Sequence, residues 1–363
     1  MDLSRLTKHA LEFQAIPAPT FEESERAGLV LDAFRAAGLE QAEFDRLGNV
    51  LARVPGGSRP PVVLSAHLDS VFAREGYRPA RRVGDRLVGP GIGDNAIGLS
   101  ALVEIPHHLT GDSLPGDLWL VADVCEEGHG NLRGMRQIVE RFGSNVSAYI
   151  VLEGMALGHV YHGALPVLRY RVEARTQGGH SWIHAGRPSA IGALIEIGAE
   201  LGSLRLPEKP RTTLNIGTIR GGTSVNSIAS EASLDLDLRS ESVESLLQLG
   251  ERVERTVRSH GSREVRIEIE RTGERPSGSL ATDHPLVRAA LTAFQEVGVR
   301  CVLETGSTDA SIPLSLGLPA VCVGLTQGGN AHTREEYVEI QPLRQGFQAL
   351  LRLIAGAYHL PDP

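Results

Sequence analysis

A histidine and an aspartate stand two residues apart at the end of the apolar run PVVLSAHLDS, residues 61–70. Residues i and i+2 of a strand face the same way, so His67 and Asp69 can reach one place together. Further on, Asp94 lies in the glycine-rich GPGIGDNAIG, Glu126 and Glu127 follow DLWLVADV, Glu153 ends AYIVLE, and His332 sits in the polar AHTREEY. Each position follows an apolar, strand-like run or falls in a neighbouring loop. Imidazole nitrogen and carboxylate oxygen are ligands that suit zinc. Two divalent cations bring four positive charges; Asp94, Glu127 and Glu153 supply three negative ones and a hydroxide the fourth. The count leaves Glu126 outside the ligand set and available as general base.

Other chemistries fit less well. GPGIGDNAIG lacks the lysine of a phosphate-cradling G-x-x-x-x-G-K-[ST] loop, and a lone GxG is a weak dinucleotide signal. There is no G-x-S-x-G elbow, which argues against a serine hydrolase. Cys125, Cys301 and Cys322 form no CxxC pair and read as small buried hydrophobes rather than a thiolate zinc site.

Composition narrows the partners. The chain has 363 residues, above the usual ceiling for one hydrophobic core, so two domains are expected. Its 36 Lys and Arg against 44 Asp and Glu give a net charge of -8, which disfavours nucleic acid. The N-terminal MDLSRLTKHALEFQ has an amphipathic helix pattern without an apolar signal core, and no apolar run approaches membrane-spanning length. A soluble, cytoplasmic protein without a membrane partner is the expectation.

Helix, turn and strand patterns alternate through the first half. Helices are expected at residues 4–14, 22–37 and 132–142, and strands at 49–54, 62–66, 118–124 and 148–152. This is the alternation of a mostly parallel mixed sheet flanked by helices, an α/β fold. From about Pro166 the pattern becomes β-α-β-β-α-β, with strands expected at 167–176, 212–219, 232–239 and 264–270 and helices at 188–204 and 243–260. That order suggests an inserted ferredoxin-like domain over residues 166–277, with residues 1–165 and 278–363 forming a discontinuous catalytic domain.

The segments HLDSV, GPGIGDNAIG, EEGHGNLRG, VLEG, GGHSW and AHTREEY, in this order, resemble the dinuclear zinc exopeptidases and amidohydrolases. That family includes carboxypeptidase G, peptidase T, aminoacylase, acetylornithine deacetylase and succinyl-diaminopimelate desuccinylase. The resemblance spans nearly the whole chain. It implies two divalent metal ions, zinc first with cobalt or manganese as alternatives, and an amide bond in a small peptide or N-acyl amino acid as the target. It places His67 and Glu153 on one metal, Glu127 and His332 on the other, Asp94 on both, Glu126 as base, and Asp69 behind His67. It also implies an oxyanion role for His180 in GGHSW, often at the partner subunit's site, and a substrate-carboxylate pair in Asn226 and Arg239. A lid role and a homodimer interface for the inserted domain follow from the same resemblance.

The chain departs from the common family pattern in two places. Asn95 and Ala96 follow Asp94 where many relatives carry an acidic residue or methionine and then lysine, which leaves the loop contacts open. Cys125 stands where many relatives have aspartate, and it reads as a structural thiol. Read from residues alone, His180 could be an ordinary loop histidine, and Arg239 could simply pair with Asp235, Asp237 or Glu241. A biosynthetic deacylase is the rival among enzymes, and a non-catalytic binding or assembly protein that retains the fold is the rival outside them.

Overall fold

Six consecutive residues, Val62 to His67, are buried within the strand Gly56–His67, which is what a central strand covered on both faces requires. A computed structural model of the chain describes residues 3–109 and 114–360. In it this strand pairs in parallel with Leu114–Asp123 on one side and Ala148–Glu153 on the other, and Ala148–Glu153 pairs in parallel with Ala320–Gly324. Antiparallel strands extend both ends of this parallel centre, giving a nine-stranded mixed sheet. Val50–Val54 joins at one side and His159–Ala164 at the other. Helices such as Leu3–Ala15, Ser24–Ala36, Ile97–Glu104 and Leu343–Ala357 bury apolar stripes in the same core. The fold is α/β, with a mostly parallel central sheet flanked by helices.

Two compact units divide the chain: residues 1–164 with 278–363, and residues 165–277. The second has its own core and a four-stranded antiparallel sheet, ordered Thr212–Gly221, Glu231–Ser240, Val167–Arg175, Arg266–Arg275. Along Glu231–Ser240 the buried Leu234, Leu236 and Leu238 alternate with the outward Asp235, Asp237 and Arg239. Helices Ala190–Gly202 and Val243–Ser259 cover the apolar face, each started by a serine whose hydroxyl accepts a first-turn N–H: Ser189 from Gly192 and Ser242 from Ser245.

Some elements carry no clear sequence signal. The strand expected at 264–270 runs as Arg266–Arg275, because pairing with Val167–Arg175 continues past a bulge between Arg271 and Gly273. A small sheet of Gly328–Gly329, Tyr337–Glu339, Arg86–Val88 and Arg81–Val83 has strands too short for periodicity to reveal.

Candidate metal centre

Parallel strands deliver their carboxyl ends to one edge of the sheet, and three of them end in polar residues. His67 is the last residue of Gly56–His67 and Glu153 the last of Ala148–Glu153; Glu126 and Glu127 follow Leu114–Asp123 by a short turn. Asp94 and His332 arrive by another route. Arg86–Val88 pairs antiparallel with Tyr337–Glu339, with Val88 opposite Tyr337. The chain leaving Val88 and the chain entering Tyr337 therefore share one end of the small sheet. The loop of Asp94 and the turn of His332 are set side by side.

The ligand atoms of His67, Asp94 and Glu153 lie within 4.8 Å of one another, and so do those of Asp94, Glu127 and His332. Asp94 divides its oxygens between the groups: Oδ1 is 2.9 Å from His67 Nε2, and Oδ2 is 3.0 Å from His332 Nε2. Glu153 Oε2 stands 4.0 Å from His67 Nε2, and Glu127 Oε1 3.3 Å from His332 Nε2. Donors around one tetrahedral zinc lie about 3.4 Å apart, so these separations fit a pair of cations sharing a carboxylate. His67 Nε2 is buried and faces Asp94 Oδ1, as suits a ligand atom. Glu126 belongs to neither group, although it is buried beside them.

The local field favours positive charge. Burial opposes it at His67, yet Asp69 and Asp94 push that imidazole well above its usual range. Asp94 and Glu127 push His332 up to about 11. Burial, then the charge of Asp94, raises Glu127 to about 7 and Glu153 well above a normal carboxyl. Burial works against Asp94 too, but His332 and His67 hold it below the carboxylate range. A cluster of acids and imidazoles that favours positive charge in this way suits divalent cations.

Asp69 stands behind His67 and also supports the site through the neighbouring backbone. Its backbone carbonyl meets His67 Nδ1 at 3.1 Å, whereas its carboxylate Oδ1 is 3.6 Å from that nitrogen. The carboxylate also accepts the N–H groups of Glu126 (3.0 Å) and Glu127 (2.9 Å), and the Thr20 hydroxyl (2.8 Å). One buried carboxylate thus fixes the peptide that carries both glutamates. Asp69→Asn turns an NH2 toward one of these donors, and it is expected to lower metal affinity or turnover about 10- to 100-fold. Metal titration with steady-state kinetics checks this; unchanged values for both would reduce Asp69 to a folding contact.

Asn95 resolves the open loop contacts. It is fully buried; its Nδ2 donates to Leu152 O (2.7 Å) and its Oδ1 accepts from Gly154 N (3.2 Å), so it brackets Glu153. The approach is close enough that a Cβ at Gly154 would overlap the Ile97 side chain and the Gly93 carbonyl. Cys125 is buried with Sγ 3.6 Å from Glu23 Oε1, its thiol pushed up to about 12 by burial and then by Glu23, and it is in neither ligand group. The residue that sequence reading missed is Glu336, in the same AHTREEY stretch as His332. Its carboxylate accepts backbone N–H groups of the Asp94 loop 242 residues away, a partnership without local signal.

In the second unit, Gly179–His180 pairs with Ser227–Ile228, and the Ser181 N–H donates to the Asn226 carbonyl. His180 and Asn226 therefore stand on adjoining exposed segments. His184 Nδ1 accepts the His180 N–H at 2.9 Å, which gives the second histidine of this segment a supporting part. The expected pairing of Asn226 with Arg239 needs correction within one chain. Asn226 follows the end of the hairpin where Gly221 faces Ala232, whereas Arg239 faces Thr213 at the other end. Seven strand steps lead from Ala232 to Arg239, about 23 Å. Arg239 Nε also donates to Asp237 Oδ1 at 2.7 Å, so one edge of its guanidinium is engaged.

A carboxylate and imidazole cluster at the carboxyl edge of such a sheet is what a metallopeptidase-class hydrolase needs. Residues 63–356 match the model of peptidase family M20/M25/M40, and the chain belongs to that family; it is a hydrolase acting on amide bonds. It is 26% identical over 341 residues to a succinyl-diaminopimelate desuccinylase of Corynebacterium glutamicum, covering 90% of each chain. Among solved structures it is similar to a tripeptidase from Staphylococcus aureus (TM-score 0.75, 22% identity, 99% of each chain). It is also similar to a dipeptidase from Saccharomyces cerevisiae (TM-score 0.80, 14% identity, 98% of this chain and 96% of that one). Among the described residues, no helix is long and apolar enough to cross a membrane.

Proposed function

We propose that the chain is a two-metal, zinc-dependent exopeptidase that releases a terminal residue from small peptides. The observation that carries this reading is the Asp94 carboxylate, with one oxygen toward each ligand group and Glu126 buried alongside in neither. His67 and Glu153 would hold one cation, Glu127 and His332 the other, and Asp94 both. Two divalent cations supply Lewis-acid polarisation of the amide carbonyl and acidify the attacking water. Glu126 takes the proton from that water and passes it to the leaving amine. Asp69 keeps the Glu126 and Glu127 backbone in place through its two N–H bonds.

His180 fits a hydrogen-bond donor to the developing oxyanion. Its Nδ1 accepts the Trp182 N–H at 3.2 Å, which places the ring proton of the neutral imidazole on Nε2 and turns that nitrogen into a donor. A homodimer through the second unit is part of the same reading. Its edge strand Thr212–Gly221 is largely exposed, and Ile195, Ile219 and Val225 are exposed apolar residues on that unit. Light scattering on the purified chain reads this directly.

The second reading, an N-acyl amino acid deacylase, is favoured by the likeness to a desuccinylase over 90% of both chains. A non-catalytic relative would be expected to have lost a ligand or the base, and this chain keeps all of them. Turnover of dipeptides, tripeptides and N-acyl amino acids with zinc, cobalt or manganese decides between the readings. Cleavage confined to acyl amino acids would overturn the exopeptidase, and no cleavage of any amide would overturn both.

Substrate choice gives a sharper test. A guanidinium can grip a carboxylate through two parallel bonds, and the Arg239 edge away from Asp237 is the one for it. The substrate is therefore expected to carry a free carboxylate near the scissile amide. Its amidated analogue should lose about 2 to 3 kcal/mol of transition-state stabilisation, roughly 30- to 150-fold in kcat/KM. Arg239→Lys should lose a similar factor on the acid and little on the amide. Equal cleavage of acid and amide by the wild type would move recognition to the amino end.

A further inference from the structure

Glu336 is fully buried, and its carboxylate is turned to backbone N–H groups rather than into either ligand group. Oε1 accepts Gly93 N at 2.8 Å and Asp94 N at 3.0 Å, and Oε2 accepts His332 N at 3.3 Å. Its own carbonyl accepts Gly89 N at 2.8 Å, where the Asp94 loop begins. One side chain thus joins the backbones of the shared ligand and of the imidazole in the second group.

The two groups depend on this junction unequally. The Asp94 loop has a second fastening, because Asn95 bonds both sides of Glu153. That fastening ties Asp94 to the group of His67, whose backbone is itself part of the central sheet. His332 lies in an exposed turn, with a left-handed φ of 61° and a side chain 53% exposed. Neighbouring bonds in this turn are local: Thr333 N to Asn330 O, and Asn330 Nδ2 to Glu335 O. Glu336 is the link from the His332 backbone to the Asp94 loop.

We propose that Glu336 is a positioning residue for the cation site of Asp94, Glu127 and His332, and that this site depends on it more than the site of His67 and Glu153 does. The inference rests on the two-metal reading above. The reason is geometric: three N–H donors converge on two anionic oxygens. A glutamine there keeps one oxygen for Gly93 and Asp94 but points its NH2 at the His332 N–H, donor against donor. A ligand left loose by the loss of such a supporting bond binds metal more weakly, typically 10- to 100-fold.

The test is a titration of metal-free wild type and Glu336→Gln with Co(II), followed by visible absorption and by metal analysis after gel filtration. Wild type should take up two ions per chain. In Glu336→Gln the first ion should bind within about 3-fold of wild type, and the second should weaken about 10- to 100-fold. The spectrum of the one-ion state should match that of His332→Ala, which identifies the weakened site. Excess Co(II) should restore turnover, since Glu336 touches no reacting atom. Two ions bound by the variant as tightly as by wild type would overturn the proposal, and so would equal weakening of both. Uptake of a single ion by the wild type would instead sink the two-metal reading. Glu336→Asp, which retains the charge but shortens the reach, gives the same comparison if the glutamine variant does not fold.

Discussion

Glu126→Ala should retain two metal ions per chain yet lose about 10²- to 10⁴-fold in turnover, the range that general base catalysis contributes. Its neighbour should fail in the other way, with Glu127→Ala losing metal. The two residues share one peptide, and both N–H groups bond to Asp69, so a disturbance of the backbone would affect them alike. Their side chains part company: Glu127 Oε1 is 3.3 Å from His332 Nε2 in the second ligand group, and Glu126 is in neither group. Metal analysis of both purified variants, beside their rates, separates proton handling from metal holding. Comparable metal loss in both would remove Glu126 from the base role.

His180→Ala should lower kcat about 10²- to 10³-fold with little change in KM, because an oxyanion contact forms chiefly in the transition state. The ring geometry makes a further demand. With Nδ1 accepting the Trp182 N–H, the neutral imidazole has its proton on Nε2, so a replacement must donate from that distance to recover any rate. His180→Gln is expected to recover part of the loss and His180→Phe none. Wild-type turnover in the alanine variant would return His180 to the status of a loop residue, held by His184 for the shape of the turn.

Amino-acid type at a strand end was legible without the fold. His67, Glu153 and the Glu126–Glu127 pair close or follow continuous apolar runs, and such runs are what a doubly covered parallel strand needs. The second unit was legible for a similar reason, since LDLDL alternates with period two and its buried leucines follow that alternation. Read as residues alone, Asp94 and His332 were only polar positions in loops, and the family resemblance was what joined them in one site. They lie 238 residues apart and meet because three-residue strands, too short for any periodic pattern, pair Val88 with Tyr337.

The sequence by itself determined the inventory: two histidines and the acids at or near strand ends, an α/β frame, and a β-α-β-β-α-β segment within it. Local alternation and apolar run length are properties of neighbouring residues, and they survive in the one-dimensional chain. Tertiary structure decided which atoms meet. It divided the Asp94 oxygens between His67 and His332, gave the Asp69 carboxylate to the Glu126 and Glu127 backbone, and bracketed Glu153 with Asn95. It engaged Arg239 with Asp237 and set it at the far end of the hairpin from Asn226. Buried polar groups must each find a partner, and which partner lies in reach depends on long-range strand pairing rather than on adjacent residues.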